Sequence, residues 1–403
     1  MIRPMSEAVS QSSLLSRHGR PVFSDAEMKH RHTRIRELLT EHNLSGLIVA
    51  SSTSLLQTEV HYLTNWQPLM ESYVIFRAEG DPVLLVRLWN HLTDAQELSF
   101  VKDVRYGGHT GPELTNMLGT LLASFGYDGA RIGTLGPVRF AEVEALKKKL
   151  PKTTWVDVQA KYRQLRVVKS EEELTFVRIA SEMNDRAVVA MRDNIVAGMR
   201  ECDIARIVEQ TYLGDRGINM IHFTMSTSMA APDRCVPHQY PPDRVIKNGD
   251  CIVTEISTHF NYYTGQILRS FTVGAGPTPL YQDLYNVGAA FHEKASQALR
   301  AGVTVGELLD CAQLIHEAGF DIWDDLMHGF AGGYLPPIIR TRMMGGASEV
   351  DEWVLPKDAC LVIQPNIITK DAKAGIQIGN CFHVEESGAE LLQRYPMEFI
   401  RCG

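Results

Sequence analysis

Apolar side chains recur along the chain with two different periods, and each change of period marks a change of element. Residues 25–41 repeat them at helical spacing, whereas residues 46–50 form a short apolar run closed by serines and a threonine, which is typical of a buried strand. Similar patterns predict strands at 73–76 and 83–86 and helices at 91–98 and 111–125. Because helices and strands alternate here, residues 24–165 are predicted to form a mixed α/β domain after an N-terminal arm at residues 1–23.

A second domain is predicted to begin at residue 166 and to extend to residue 403. Ser170 precedes three glutamates, so it can cap a helix whose first-turn acids interact favourably with the helix dipole. The patterns that follow predict helices at 171–197, 201–212, 279–301 and 305–318, and strands at 251–256, 266–273 and 360–364. This half of the chain therefore combines long helices with buried strands.

Composition narrows the partners expected for this chain. Its 403 residues, 44% of them hydrophobic, suffice for two sizeable cores, and the formal charge of −8 with a pI near 6.0 disfavours nucleic acid or anionic membrane as the main partner. Seven scattered cysteines without a C-x-x-C pair indicate neither a zinc knuckle nor a disulfide framework. Because no apolar leader or membrane span is seen either, we expect a cytoplasmic protein that acts on a small molecule.

Three polar positions in the second domain are unusual because their surroundings are apolar or rich in glycine. Glu255 interrupts the apolar strand at 252–257, where a buried carboxylate must be paired or used, although it could instead lie on an exposed face. His328 precedes a glycine-rich turn, and Gln364 lies in another apolar strand. A single histidine in such a place is more often a packing residue than a catalyst, so these residues alone do not identify an active site.

The order and spacing of these segments resemble the creatinase, aminopeptidase P and prolidase family, whose entry helix is matched by Arg166-Val-Val-Lys-Ser-Glu-Glu-Glu. The resemblance extends over residues 24–400. It implies an α+β, two-domain pita-bread fold with a mixed α/β N-terminal domain. In the family's peptidases, two aspartates, a histidine and two glutamates hold a pair of divalent metals bridged by an activated water.

Most of these metal-ligand positions carry a different type of residue in this chain. In chain order, the five positions match Glu255, Gln266, Gly332, Gln364 and Gly379. A pair of divalent ions needs several anionic ligands to offset four positive charges, and one carboxylate cannot supply them. The resemblance therefore implies that this chain uses no metal, and no other cofactor is expected.

One histidine has the spacing of the proton shuttle in creatinase, which, like the ectoine hydrolases, is a metal-independent member of the family. His238 stands eleven residues before Gly249, with Arg244 in register. A neutral imidazole can take a proton from water and return it to a leaving nitrogen. We therefore expect His238 to act as general acid and base, and Glu255 to orient it, to stabilise a cation, or to act as a base or nucleophile. The alternative is a structural histidine beside a proline-rich turn.

The remaining candidates are predicted to bind the substrate. They are amides at the former metal site, nearby aromatic and histidine side chains, and two arginines able to grip a carboxylate: Gln266, Gln364, Asn366, Gln377, Tyr263, His328, Tyr334, Arg340 and Arg342. The arginines could equally form salt bridges, and the tyrosines could be core residues. By analogy with creatinase, we expect a homodimer in which the partner's N-terminal domain supplies Trp66 and Glu71 to the site.

Together these expectations favour a metal-independent hydrolase, or less readily a lyase, that cleaves a C–N bond of a small polar nitrogen compound such as an amidine, cyclic amidine, amide or lactam. Creatine itself is disfavoured, because the creatinase glutamates that hold its guanidinium group match Leu268 and Gln364. Two alternatives stay open. The chain could be a catalytically silent ligand-binding protein, or an Xaa-Pro peptidase whose metal ligands lie at positions other than those matched.

Overall fold

The chain divides into two units between Arg166 and Val167. The structure, a computed structural model, describes residues 14–52, 58–340 and 351–403. The first unit contains one six-stranded sheet, and the second contains a larger sheet and a separate three-stranded sheet. Within the described ranges, no helix is both long and apolar enough to cross a membrane.

In the first unit, helices cover both faces of a mixed sheet. The strands are β1 (Gly46–Ser51), β2 (Ser72–Arg77), β3 (Val83–Arg87), β4 (Asp103–Gly108), β5 (Arg131–Leu135) and β6 (Thr154–Asp157), and the helices are α1 (Asp25–Glu41), α2 (Thr58–Thr64), α3 (Trp89–Leu98), α4 (Gly111–Ser124), α5 (Phe140–Lys149) and α6 (Gln159–Leu165). In the order β4-β3-β2-β1-β5-β6, β2 is antiparallel to both neighbours and the other pairs are parallel. Strand β1 is buried throughout, with Leu47 and Val49 in one core and Ile48 and Ala50 in the other.

Trp66 and Glu71 have partners inside the first unit. Trp66 is 4% exposed and packs in the core on one face of the sheet. The Glu71 carboxylate accepts hydrogen bonds from Arg87 and Arg139. Burial raises the pKa of Glu71, but its own backbone amide and the two arginines outweigh burial and hold the pKa below its ordinary value. Both side chains thus stabilise this unit, whereas the sequence predicted that they bind substrate.

The second unit is built around a large sheet and a small one. Its strands are β7 (Ile218–Ser228), β8 (Asp250–Phe260), β9 (Tyr263–Val273), β10 (Asp321–Ile322), β11 (Asp325–Gly329), β12 (Leu335–Arg340), β13 (Cys360–Ile363), β14 (Asn366–Ile368), β15 (Gly375–Gln377), β16 (Gly379–Val384), β17 (Ala389–Leu391) and β18 (Ile400–Cys402). Its helices are α7 (Glu171–Asn194), α8 (Glu201–Glu209), α9 (Pro279–Ala298), α10 (Val305–Asp310) and α11 (Gln313–Glu317), with a 3-10 turn at Leu213–Asp215. The large sheet has the order β12-β11-β13-β16-β9-β8-β7, with β17 beside β16 and β18 beside β9, and the small sheet has the order β10-β14-β15.

Helix α7 begins where the sequence predicts it. The Ser170 hydroxyl accepts a hydrogen bond from the backbone amide of Glu173, and the Glu173 carboxylate accepts one from the Ser170 amide. This capping box satisfies two backbone donors that a helix start otherwise leaves unpaired, and it confirms the predicted helix start. The helix predicted at 305–318 is instead divided into α10 and α11, which are separated at Cys311 and Ala312.

The hairpin of β8 and β9 sets the direction of the side chains that form the site. Asn261 and Tyr262 join the strands with φ angles of 49° and 67°, the left-handed combination that a tight two-residue hairpin turn needs. The resulting register places Ser257 opposite Gln266. Because neighbouring residues along a strand point to opposite faces, Glu255 shares its face with Ser257 and Gln266.

A buried arginine connects this hairpin to β16 and to the C-terminal segment. Arg269 on β9 is 1% exposed, and its guanidinium donates to the backbone oxygens of Leu268, Gly379 and Tyr395, each at 2.9 Å. Burial lowers the pKa of Arg269 to about 10, so the group remains charged at neutral pH. Three carbonyl groups therefore share one charged donor.

Candidate active site

A pocket of about 520 Å³ in the second unit brings together four residues predicted from the sequence. His238 comes from the loop after β7, Glu255 from β8, and Asn366 and Gln377 from β14 and β15. Asn366 and Gln377 are direct cross-strand partners, so their side chains project from the same face of the small sheet. The volume lies within the range of about 300–1,000 Å³ that is usual for small-ligand sites.

Glu255 is a buried carboxyl group at the wall of this pocket. It is 7% exposed, and its Oε1 accepts a hydrogen bond from the side-chain amide of Gln266 at 2.6 Å. Burial and then the neighbouring carboxyl of Asp325 raise the pKa of Glu255 to about 7, against the opposing effect of hydrogen bonds from Gln377 and Gln266. Glu255 can therefore exist in both protonation states near neutral pH.

A second buried carboxyl group, Asp325, was not predicted from the sequence. Its Oδ1 accepts a hydrogen bond from the Gln364 side chain at 3.1 Å, and its Oδ2 has no hydrogen-bond partner among the residues described. Burial and the adjacent Asp324 raise the pKa of Asp325 to about 7, while Arg340, its cross-strand partner on β12, opposes the rise. The sequence feature that could have indicated Asp325 is the pair Asp324-Asp325 at the start of an apolar strand.

Gln364 connects this carboxyl group to His328 and its aromatic neighbours. The Oε1 atom of Gln364 lies 3.2 Å from Nε2 of His328, which must carry the proton if the Gln364 amide donates to Asp325. The His328 ring lies 4.4 Å from the ring of Tyr334, centroid to centroid. Burial lowers the pKa of His328 to about 4. Three predicted residues, His328, Gln364 and Tyr334, are thus brought together as a neutral group beside Asp325.

His238 reaches the pocket from a loop that β7 holds in place. Its backbone exchanges two hydrogen bonds with Thr224 on β7, with N to O distances of 3.0 and 3.3 Å. Burial and the nearby Arg234 lower the pKa of His238, so its imidazole is neutral at neutral pH. No residue in the described ranges hydrogen bonds to this ring, which leaves both nitrogens available to a ligand.

Two other predicted residues, Tyr263 and Arg340, do not border the pocket. Tyr263 lies on the opposite face of its strand, where its hydroxyl donates to Glu173 at 2.7 Å and its ring packs near Phe176 of α7. The reason is the strand alternation that the hairpin turn fixes. Arg340 is exposed on β12, opposite Asp325. Arg342 lies outside the described residues.

Two charged residues that the sequence did not single out also line the pocket. Asp324 precedes β11, and Arg234 lies in the long loop between β7 and β8. Arg234 belongs to a segment without helical or strand periodicity, so the direction of its side chain could not be predicted from the sequence. The pocket lining therefore contains both anionic and cationic groups, and the sequence had revealed mainly the anionic ones.

Comparison with known proteins finds a matching family model for each unit. The model of metallopeptidase family M24 matches residues 175–386, and that of the creatinase/prolidase N-terminal domain matches residues 31–168. The chain belongs to metallopeptidase family M24. Its M24 match covers Glu255 on β8, Gln364 directly after β13, and Gln377 on β15.

Relatives of this M24 chain include two enzymes named Xaa-Pro dipeptidase. The enzyme of Pyrococcus furiosus is 25% identical over 375 residues, which cover 93% of this chain and 100% of the relative. The enzyme of Pyrococcus horikoshii is 24% identical over 376 residues, which cover 93% of this chain and 99% of the relative. The similarity therefore extends through both units.

Solved structures confirm the predicted fold. The prolidase from Pyrococcus horikoshii OT3 has a TM-score of 0.77 at 22% identity and covers 92% of this chain and 100% of its own. The recombinant prolidase from Thermococcus sibiricus has a TM-score of 0.80 at 18% identity and covers 93% of this chain and 99% of its own. The M24 chain thus has the two-domain pita-bread fold with an N-terminal α/β domain.

The relatives contradict the activity that the sequence favoured. Metal-independent cleavage of a small non-peptide nitrogen compound was expected, whereas the matching model is that of metallopeptidase family M24 and both relatives are named Xaa-Pro dipeptidase. The expectation depended on the creatinase-like spacing of His238 in one loop. Similarity over 93% of the chain is the stronger observation, and it supports the Xaa-Pro peptidase alternative.

The five-ligand metal pair nevertheless does not fit the residues of this M24 chain. Gln266 and Gln364 are neutral, and Gly332 and Gly379 have no side chain, so Glu255 is the single anion at the five positions. Space is lacking as well, because a Cβ atom added at Gly379 would lie 2.2 Å from a backbone oxygen of β13. No reaction step is therefore assigned to a metal pair at these positions.

Proposed function

We propose that this chain hydrolyses the peptide bond of small peptides of the Xaa-Pro dipeptide class. Membership of metallopeptidase family M24 and the names of relatives similar over 93% of the chain support this substrate class. A pocket of about 520 Å³ suits a ligand of this size. The proposal replaces the non-peptide substrates that the sequence favoured.

One observation carries the proposed chemistry, a carboxyl group with a pKa of about 7 at the wall of the pocket. Near neutral pH, Glu255 can accept a proton from water and give it up again. In the hydrolysis, the oxygen of that water bonds to the carbonyl carbon of the peptide, the C–N bond breaks, and the proton goes to the leaving nitrogen. The hydrogen bond from Gln266 at 2.6 Å holds the carboxyl group in one orientation.

His238 is proposed as the second polar group that acts on the peptide. Because burial and Arg234 lower the pKa of His238, its neutral imidazole can donate one hydrogen bond and accept another at neutral pH. It borders the same pocket as Glu255. We propose that His238 orients the water or the leaving nitrogen, whereas Glu255 transfers the proton.

An assay of proline release tests this function. Purified protein is expected to release proline from Ala-Pro and Leu-Pro but not from Pro-Ala, because the reversed dipeptide places the ring on the wrong side of the peptide bond. Since the donor set does not fit a metal pair, each peptide is assayed after chelation and again with added Mn²⁺ or Zn²⁺. If the protein cleaves no dipeptide of a panel under either condition, the proposal is overturned. If a peptide raises the Tm of the protein but no product forms, the chain is a binding protein.

We further propose that the protein is a cytoplasmic homodimer. All seven cysteines are free thiols, six of them buried, which supports a reducing compartment. The homodimer is carried over from the analogy with creatinase, in which the site is completed across a subunit interface. Sedimentation equilibrium is expected to give twice the chain mass of 45.1 kDa, and a mass equal to that of one chain would contradict the dimer.

A further inference from the structure

Arg234 offers a cation to the pocket that is not neutralised by an ion pair with any described carboxylate. Its Nε donates to the backbone oxygen of Val236 at 2.7 Å, and its Nη2 donates to that of Pro237 at 3.4 Å. These two bonds fix the plane of the guanidinium on its own loop. Its Nη1 makes no hydrogen bond with the described part of the chain, and Arg234 borders the pocket. A fixed guanidinium with an unused edge is a preferred partner of a carboxylate.

Two buried amide oxygens on the strand side of the same pocket lack a donor. Asn366 Oδ1 and Gln377 Oε1 have no hydrogen-bond partner within the described ranges, although the side chains are only 6% and 3% exposed. The two residues are cross-strand partners, so both oxygens belong to one small area of the lining. A buried acceptor without a donor is destabilising, and a ligand that brings donors removes that cost.

We propose that Arg234 binds the C-terminal carboxylate of the peptide and that the oxygens of Asn366 and Gln377 bind its N-terminal ammonium group. This inference rests on the proposed peptide substrate and adds the direction in which the peptide lies. The carboxylate points to the loop between β7 and β8, and the ammonium group points to β14 and β15. An ammonium group suits this end because it offers three donors and no acceptor.

The distribution of charge around the pocket supports this direction. Glu255 is hydrogen bonded to the Gln377 side chain. Asp324 directly follows Trp323, whose backbone amide donates to the backbone oxygen of Asn366 at 2.9 Å. Both acids therefore attract an ammonium group near the two amide oxygens and repel a carboxylate. Among the residues that the structure describes, Arg234 is the one arginine or lysine of the lining. The pocket therefore selects short peptides in which both termini are free and carry opposite charges.

Binding of three forms of one dipeptide tests the carboxylate site. Ala-Pro, its C-terminal amide and its N-acetyl derivative are titrated calorimetrically at 5 °C, and KM replaces Kd for any form that is turned over. Wild-type protein is expected to bind Ala-Pro at least about 10-fold more tightly than either modified form, as the loss of one charge-assisted contact predicts. Arg234→Gln should abolish the preference over the amide, and Arg234→Lys should retain part of it.

Matched variants separate this role from a general effect of charge or folding. Arg206→Gln removes the same charge from an exposed position on α8 and should leave all three affinities within about twofold. Asn366→Leu keeps the approximate shape but removes the acceptor, so it should weaken Ala-Pro while leaving the N-acetyl form unchanged. Circular dichroism and Tm establish that each variant is folded, and Arg234→Lys keeps the test valid if Arg234→Gln does not fold.

The inference and the proposed function can fail separately. If wild-type protein cleaves no peptide but prefers the free carboxylate, and Arg234→Gln removes that preference, the anchor is established and the peptidase activity is not. If Ala-Pro is cleaved and its amide binds equally well, the anchor is overturned and the activity stands. Equal binding of the N-acetyl form would overturn the assignment of the ammonium group.

Discussion

Replacement of Glu255 by glutamine is expected to lower kcat for dipeptide hydrolysis by at least about 100-fold, which is the usual contribution of a positioned acid or base. Glutamine occupies nearly the same volume and can still accept the hydrogen bond from Gln266, but it cannot take a proton from water. The proposed reaction therefore loses proton transfer while the pocket is preserved. Steady-state assays of proline release measure the change.

A glutamate that lies away from the pocket provides the control for this variant. Glu386→Gln removes the same charge from an exposed position of the second unit and should keep kcat within about twofold of wild type. An E255Q protein that is folded and retains more than about a tenth of the wild-type kcat would exclude Glu255 as the group that transfers the proton.

The Glu255→Gln variant also tests how the free energy of unfolding depends on pH. Burial and Asp325 raise the pKa of Glu255 to about 7 in the folded protein, whereas an unfolded chain gives glutamate a pKa of about 4.3. Between these values the folded state binds more protons than the unfolded state, so this group makes wild-type stability fall as pH rises, by about 1.4 kcal/mol per unit. The Tm of E255Q relative to wild type should therefore increase from pH 5 to pH 7 and change little above pH 8. A difference independent of pH would contradict the raised pKa.

Replacement of Arg269 by methionine is expected to destabilise the second unit by about 3 kcal/mol or more. Methionine retains an apolar stem, but three buried backbone oxygens, on Leu268, Gly379 and Tyr395, lose a charged donor. Water cannot readily take the place of the guanidinium, because the Arg269 side chain is only 1% exposed and solvent has little access to its site. Urea unfolding followed by circular dichroism measures the loss as a lower midpoint.

An exposed arginine on the neighbouring strand is the matched control for Arg269. Arg401 on β18 donates to the backbone oxygen of Gly274 at 2.8 Å but lies at the surface, where water can take its place. Arg401→Met should change the free energy of unfolding by less than about 0.5 kcal/mol. Equal effects of the two substitutions would show that the buried carbonyl groups do not depend on Arg269.

Features that depend on adjacent residues could be predicted from the sequence. Ser170 and the glutamates after it specify the start of α7, because the cap is completed by a residue only three positions away. The apolar run of β1 predicts a strand with both faces buried. Glu255 stood out for a similar local reason, as a charge within an apolar strand.

The lining of the pocket was harder to predict because it combines segments far apart in the chain. Asp325 reaches Gln364 only through the pairing of β11 with β13, which the sequence does not display. Arg234 lies in a loop, where no period indicates the direction of a side chain. Tyr263 illustrates the remaining difficulty, since a shift of one residue in the hairpin register would have moved it to the other face of the sheet.

Gly379 has a consequence for how members of this family diverge. In the peptidase pattern its position holds a glutamate, yet here any side chain would meet the backbone oxygen of Ile363 at 2.2 Å. A single substitution of Gly379 by glutamate would therefore lower stability before it supplied a ligand. Strand β13 would have to move before this position could hold a carboxylate. The close approach of β13 to Gly379 thus disfavours single-step acquisition of the peptidase ligand, because two changes would have to occur together.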